Sequence, residues 1–472
     1  MSTLFSRRTF VKKVGQLTGV ALGASCWDAP RVMAERSPSS KLNIAGIGIA
    51  GRGGAHVTSA LSENLVAICD VVEGSLNGCL RRIERTYREK QIRAPLPKVF
   101  FDYREMLDEM QSKIDAVFVG TPDHHHAPAS LMAMKRGKHV YCEKPLTHSI
   151  DEARQMTLAA RRYKVATQMG NQGRATEGWR QLSEWIWAGV IGQVREVHVW
   201  TDRPGIQKRF WWPQGAGRPA GKDPIPPGLH WDLWLGPAPE RPYLGTYQAG
   251  KFKGKPVYQP FVWRGWWDFG TGALGDIGCH FMSGIFSALR IECPAAVELV
   301  KDSGDTTAEM FPSASTIRWE IPARAGMAPC HVSWYDGGLY PPREVGDLAA
   351  GQEYPDNGTI VVGDRGKISF HGYVPRLMPE SKMKDFKPPA PTIPRCQSDH
   401  FGEWVTACKG GRPAFSNFDH AGPLAEMVLL GNVAIRAGAG QKVLWDGPNM
   451  KCTNHPELNR FIRREYRPGW KA

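Results

Sequence analysis

From Lys41 onward the apolar positions of the chain switch repeatedly between two spacings. Leu42–Ile47 is almost wholly apolar and reads as a buried strand, and Gly51–Leu61 continues with the spacing of a helix. Leu65–Asp70 and Ile114–Val119 are further short apolar runs, and a helix is expected over Pro128–Arg136. His139–Cys142 predicts another strand and Ile150–Tyr163 another helix. Strand–helix units in this order predict a parallel, doubly wound sheet with helices on both faces.

The pattern changes after about residue 165. Gly178–Ala188 reads as helix, and Val194–Trp200 alternates as a strand with one exposed face. Residues 203–267 are rich in Pro, Gly and Trp and predict long ordered loops. Thr316–Glu320, Pro329–Trp334, Gly358–Val362 and Lys367–Phe370 predict a mostly antiparallel sheet. Ser398–Cys408 and Pro423–Ala437 are expected to be helical, with a Pro/Lys-rich loop at 379–395. A length of 472 residues suits two domains. The expected division is a leader at 1–34, a linker at 35–40, a nucleotide-binding domain at 41–165 and a second domain at 166–472.

Composition narrows the classes. Hydrophobic residues at 42% and charged residues at 22% describe a globular protein. The formal charge is +14, but no basic cluster interleaved with aromatics suggests nucleic acid as a partner. Beyond the N-terminus no apolar run is long enough to span a bilayer. Ser6-Arg7-Arg8-Thr9-Phe10-Val11-Lys12 has the form of a twin-arginine export signal. An apolar stretch, Val14–Ala24, and a cleavage-like Val32-Met33-Ala34 follow it. The expectation is a periplasmic or otherwise exported protein, the alternative being a basic amphipathic first helix. Cys26 matches a lipid-anchor point poorly. The ten cysteines include no Cys-x-x-Cys pair, and their spacing suggests neither zinc nor a disulfide framework.

Four motifs carry candidate chemistry. Gly46, Gly48 and Gly51 follow a strand and open a helix, the context in which glycines let backbone approach a pyrophosphate. Asp70 closes the next strand, where a carboxylate suits a ribose diol and repels a 2′-phosphate, so NAD is favoured over NADP; Arg52 complicates that choice by offering a phosphate partner. Thr121-Pro122-Asp123-His124-His125-His126 ends a later strand at the carboxyl edge of the sheet. Consecutive histidines seldom converge on one ion, so no metal is expected and the segment reads as a loop lining a nicotinamide site. In Glu143-Lys144-Pro145 the proline biases Lys144 toward an extended backbone, aiming its ammonium into the crevice. A lysine there stabilises negative charge developing on a substrate hydroxyl, the alternative being a surface pair with Glu143. The fourth motif, Gly270–His280, sets Asp276 and His280 on one helix face behind a glycine-rich turn. A helix N-terminus there would keep Asp276 ionised and His280 neutral, the state of a proton acceptor.

Seventeen tryptophans are present, many of them in the loops of 203–267. Phe210-Trp211-Trp212, His230–Trp234 and Trp263–Asp268 either stack on sugar rings or simply pack the loops. Arg264 and Asp268 offer partners for hydroxyls. Trp266, Trp267 and Asp268 are the foremost substrate candidates because they abut the Gly270 turn.

Taken together, Gly-Ile-Gly-Ile-Ala-Gly51, Thr121–His126, Cys142-Glu-Lys-Pro145, Gln168–Arg174 and Gly275–His280 resemble the Gfo/Idh/MocA family, named for glucose–fructose oxidoreductase and inositol dehydrogenase. The resemblance runs from Leu42 to Arg436. It implies an α/β protein: an N-terminal Rossmann doubly wound parallel sheet, then a C-terminal α/β domain with a large, mostly antiparallel open sheet that often mediates a homodimer or homotetramer. It implies that Lys144, Asp276 and His280 occupy catalytic positions, and that Asn171 and Arg174 lie near cofactor and substrate. The expected activity is NAD-dependent hydride transfer at a secondary hydroxyl of a sugar or polyol. Two alternatives stand beside it: redox-neutral cleavage of a glycoside through a transient keto-sugar, and sugar binding without catalysis.

Overall fold

The computed structural model describes residues 40–205 and 209–470. The proposed leader, its cleavage region and Cys26 lie outside the described residues.

The first half winds as its apolar spacing predicts. Strand β1 (Asn43–Ile47) leads through a turn into helix α1 (Gly53–Ala60), and β2 (Asn64–Cys69) into α2 (Glu73–Glu89). Then come β3 (Lys98–Phe100), α3 (Tyr103–Glu109), β4 (Ala116–Val119), α4 (His126–Lys135), β5 (His139–Glu143), α5 (Ile150–Tyr163) and β6 (Thr167–Gly170). The six strands pair in parallel in the order β3-β2-β1-β4-β5-β6. The order reverses between β1 and β4, so their carboxyl ends open a crevice there. β4 and β5 are buried throughout, as strands covered on both faces must be. Helix α5 starts on a capping box, in which Ser149 and Glu152 each satisfy an orphan backbone N–H. The sheet runs past residue 165 to Gly170, because β6 supplies its last strand.

The second half begins with α6 (Glu177–Trp187) and β7 (Val194–Thr201). After a long loop region that includes the short α7 (Trp231–Leu235) comes α8 (Gly272–Ala288). Strands β8 (Ala296–Asp302), β9 (Ser315–Ile321), β10 (Cys330–Tyr335), β11 (Asn357–Gly363), β12 (Gly366–His371) and β13 (Val374–Met378) follow. The chain continues with α9 (His400–Cys408), α10 (Phe418–Ala437), β14 (Lys442–Asp446) and β15 (Lys451–Cys452). Nine strands form one sheet in the order β13-β12-β11-β7-β10-β9-β8-β14-β15. Only β7 and β10 pair in parallel; every other neighbour is antiparallel.

Both sheets belong to one compact unit. Helix α10 packs on α5 and on α8, and Trp319 of β9 donates to the Met427 carbonyl of α10 at 3.0 Å. The C-terminal stretch then returns to the first sheet. Arg464 binds Glu152 at 2.7 Å, Arg463 binds Asp151 at 2.8 Å, and Arg104 donates to the Gly469 carbonyl at 3.0 Å. The loops of 203–267 have a buried aromatic nucleus of their own, in which Trp231, Trp234, Tyr258, Trp266 and Phe269 pack together. All nine described cysteines are free thiols.

Candidate active site

A cavity of about 1020 Å³ opens at the carboxyl ends of the parallel strands. The turn after β1 forms part of its wall. Gly48 (φ +73°) cannot be replaced in this backbone, because a Cβ there would lie 2.7 Å from the Thr121 nitrogen. Gly51 (φ +50°) meets nothing within 4 Å, so the backbone is bare toward the cavity. Arg52, Thr121 and Pro122 line the same wall. The Thr121 Oγ1 is buried without a protein partner among the described residues.

Asp70 follows β2 and also lines the cavity. Its carboxylate accepts from the Ile49 nitrogen at 3.0 Å and the Val72 nitrogen at 3.1 Å, which fixes its direction. Burial raises its pKa, and the backbone donors oppose that rise. Beyond it stand Phe101, Tyr103 and Trp470. Arg104 lies 3.9 Å over the Trp470 ring and is clamped by Asp102. An open glycine turn, an anchored acid after β2, an orphan hydroxyl and aromatic walls fit a dinucleotide.

On the β5 side the charged groups interlock. Lys144 Nζ donates to Asp276 Oδ1 at 2.5 Å, and Arg264 Nε donates to the same oxygen at 2.7 Å. Burial alone would raise the Asp276 pKa, but the charges of Lys144 and Arg264 outweigh it and hold the carboxyl far below its usual range. Lys144 is therefore paired with Asp276, and not with its neighbour Glu143. Glu143 accepts from Gln172 at 2.8 Å and meets His56 Nε2 at 2.6 Å. These contacts, with Lys144 and Arg52 nearby, overcome burial and lower its pKa to about 2.

Asp276 and His280 both line the cavity from α8, as their four-residue spacing predicts. The cause of histidine neutrality differs from the expectation. Helix α8 begins at Gly272, so His280 lies in its third turn, beyond the reach of the terminal dipole. Burial, with the nearby Lys144 charge, lowers the His280 pKa to about 4 instead. Its Nδ1 is buried with no partner among the described residues. Asp276 thus anchors Lys144 and Arg264, and makes no hydrogen bond to His280.

The remaining sequence candidates support the site from behind. Gly46 sits inside β1, where a Cβ would strike the Phe118 ring at 2.3 Å. Asp123 is buried and accepts from Thr271 Oγ1 at 2.7 Å, tying the strand-end loop to the start of α8. His126 is held between the Pro145 and Thr121 carbonyls, at 2.7 and 2.9 Å. Asn171 has both ends of its amide engaged, donating to the Cys279 carbonyl at 3.2 Å and accepting from Ser416 at 2.5 Å. Gln172 reaches the cavity in its place. Arg174 donates to Ser287 at 2.6 Å, further along α8 than His280.

The foremost aromatic candidates are not on the cavity wall. Trp266 is fully buried and donates to the Val257 carbonyl at 2.7 Å. Trp267 donates to the Thr307 carbonyl at 3.1 Å and lies under Arg436. Asp268 is paired with Arg241. They are consumed by loop packing. The wall is built instead by Trp211, Trp234, Phe261 and Trp263, with Arg203 and Arg264. Phe261 (φ +71°) stands at the centre of a tight turn closed by the Val262 nitrogen and the Pro260 carbonyl at 2.8 Å. Such a strained backbone persists only when its surroundings enforce it, here with Arg264 donating to the Phe261 carbonyl at 2.9 Å.

An open parallel sheet with a bare glycine turn at its switch point, joined to a second α/β half, defines a two-part nucleotide-binding protein. Residues 41–171 match the family model described as oxidoreductase family, NAD-binding Rossmann fold. Residues 178–311 match the same family's C-terminal alpha/beta domain. Together these cover more than half of the sequence, and the chain belongs to the Gfo/Idh/MocA family of oxidoreductases. It is 30% identical to glycosyl hydrolase family 109 protein 1 of Shewanella sp. (strain ANA-3) over 210 residues, 40% of this chain and 44% of that protein. It is 38% identical to the 1,5-anhydro-D-fructose reductase of Ensifer adhaerens over 86 residues, 18% of this chain and 26% of the reductase. The chain spans less than half the length of these curated relatives. The WlbA dehydrogenase from Bordetella pertussis, solved in complex with NADH and UDP-GlcNAcA, shares the fold with a TM-score of 0.54 and 13% identity, over 86% of this chain and 99% of that one.

Proposed function

We propose that this chain is an NAD-dependent oxidoreductase that moves hydride between a bound nicotinamide cofactor and the secondary hydroxyl carbon of a sugar or polyol. The observation that carries the reading is the meeting of Lys144, Asp276 and His280 in the cavity onto which the Gly48–Gly51 turn opens. A nicotinamide ring held there supplies the hydride acceptor, or the donor in the reverse direction. Neutral His280 takes the hydroxyl proton as hydride leaves the same carbon. Lys144 Nζ stabilises the charge that develops on the oxygen. Asp276 fixes that ammonium in place, itself held by Arg264, so the ammonium is not reorganised during reaction. Asp70 supports NAD over NADP, since a 2′-phosphate would face its buried carboxylate.

The export motif at 6–12 supports a periplasmic or otherwise exported enzyme that carries its cofactor with it and restores it in place. A homodimer or homotetramer formed through the nine-stranded sheet belongs to the same proposal. A second reading is favoured by the match to a glycosyl hydrolase family 109 protein over 40% of the chain. In it the same groups oxidise a sugar transiently, a glycosidic substituent is eliminated, and the sugar is rereduced.

The test begins with protein purified without added nucleotide. It is expected to release NAD on denaturation, and glycosides are then screened for cofactor reduction and for released products together. A His280→Ala variant should turn over about 10²-fold more slowly. Near-normal turnover in that variant, or a protein that neither carries nor takes up nucleotide, defeats the proposal. A freed aglycone without net cofactor reduction selects the second reading.

A further inference from the structure

The β5 side of the cavity carries more positive charge than its own carboxylates neutralise. Lys144, Arg203 and Arg264 line it, against Glu143 and Asp276. Lys144 and Arg264 both spend their charge on Asp276 Oδ1. Arg203 is different. It follows β7, a central strand of the nine-stranded sheet, and its carbonyl accepts from the Gly337 nitrogen at 2.6 Å, so its backbone is rigidly placed. Its guanidinium carbon stands over the Trp211 ring, 3.3 Å from the centroid. That ring is itself held, donating from Nε1 to Asp202 Oδ2 at 3.3 Å.

The nearest carboxylate to Arg203 is Asp202, at 3.6 Å from Nε, too long for a hydrogen bond. The Nε is buried and unpartnered among the described residues. Neither terminal nitrogen of the fork has a hydrogen-bond partner among them. A planar fork with unused donors, at a cavity wall that Lys144 and Arg264 also line, is the arrangement that takes a carboxylate in two parallel hydrogen bonds. Phe261 and Trp263 line the same cavity and add apolar surface to it.

Resting on the proposed sugar oxidoreductase reading, we infer that the substrate is an acidic sugar, a uronic acid or its glycoside, whose carboxylate is bound by Arg203 on its Trp211 platform. Lys144 and His280 remain for the hydroxyl that reacts. The acid group serves to orient the ring, which makes Arg203 a specificity-determining residue.

The experiment uses the full chain with its bound nucleotide. D-glucuronate, D-galacturonate and their methyl glycosides are compared with D-glucose, D-galactose and the corresponding neutral glycosides. Binding is read by tryptophan fluorescence and turnover by kcat/KM. The acids are expected to be preferred by about tenfold or more, the scale of one charge-assisted hydrogen bond. In Arg203→Gln the preference should fall toward one, chiefly through KM, and Arg203→Lys should recover it in part, since it keeps the charge and loses the fork. Bound nucleotide equal to that of the wild type certifies that each variant is folded. Equal or better binding of neutral sugars by the wild type overturns the inference, as does a variant that weakens acids and neutral sugars alike. A preference for sulfated or phosphorylated sugars over uronates overturns the carboxylate assignment. A wild type without nucleotide, unable to take any up, defeats the oxidoreductase reading itself, whereas one that holds nucleotide and ignores acids defeats only this inference.

Discussion

The two sides of the crevice are built on different plans. On the β2–β3 side the wall is bare backbone, one carboxylate tied to main-chain nitrogens, and aromatic rings. Its main ion pair, Arg104 with Asp102, is closed on itself. On the β5 side the wall is a charged network with cations in excess, two of which share one carboxylate oxygen. The first side offers shape and leaves its ligand to bring charge. The second supplies charge and holds it still. A dinucleotide needs the former, and an oxygen that becomes an alkoxide needs the latter.

Lys144→Ala gives the largest separation of the two. Turnover is expected to fall by about 10²–10³-fold, with nucleotide content unchanged. A parallel loss of nucleotide would show that the two sides are one functional unit. Gly48→Ala is the mirror experiment. Its Cβ meets the Thr121 nitrogen at 2.7 Å in a left-handed backbone, so strain of about 1–3 kcal/mol adds to the clash. Bound nucleotide should be lost and the melting temperature lowered, whereas a variant that keeps its nucleotide would mean that the turn does not cradle it.

Trp470→Ala is milder. Removing one aromatic wall should raise the rate of nucleotide release by about tenfold, read by exchange against labelled NAD, with kcat little changed. The smallest effect is a pH dependence common to both sides. Burial lowers the pKa of His125 and of His280 to about 4, below the usual value of about 6.5. Between those values the unfolded chain binds more protons than the folded one. Stability is therefore complete above about 6.5 and declines as pH falls toward 4. Thermal melts at pH 7 and at pH 4.5 measure it, and equal midpoints would show these imidazoles to be less buried.

The same contrast explains what was legible in the sequence. The nucleotide side is largely local: Gly48, Gly51 and Asp70 lie within two strand ends, and backbone geometry fixes their roles wherever that pattern folds. The parallel sheet followed from runs of apolar residues, although α2 stayed hidden because only Leu76, Cys79 and Ile83 of its seventeen residues are buried. The meeting of Lys144, Asp276 and His280 in one cavity was legible because Lys144 follows a strand end, while Asp276 and His280 share a helix face. The substrate wall was not. Adjacency in sequence pointed to Trp266–Asp268, but Trp266 is folded into the aromatic nucleus, Trp267 packs on the main core and Asp268 pairs with Arg241. Arg203, remote from α8 in the chain, reaches the cavity because it follows β7, and Trp211 stands against it there. No local period encodes that. Asn171 and Arg174 share the difficulty: both belong to the motif, yet their side chains are spent bracing α8.

The contact of Arg104 with Gly469 and Trp470 joins positions 365 apart. During translation the glycine turn leaves the ribosome long before the indole that completes its pocket has been made. The cavity is therefore complete only once the chain through residue 470 has been made and has returned to the first sheet.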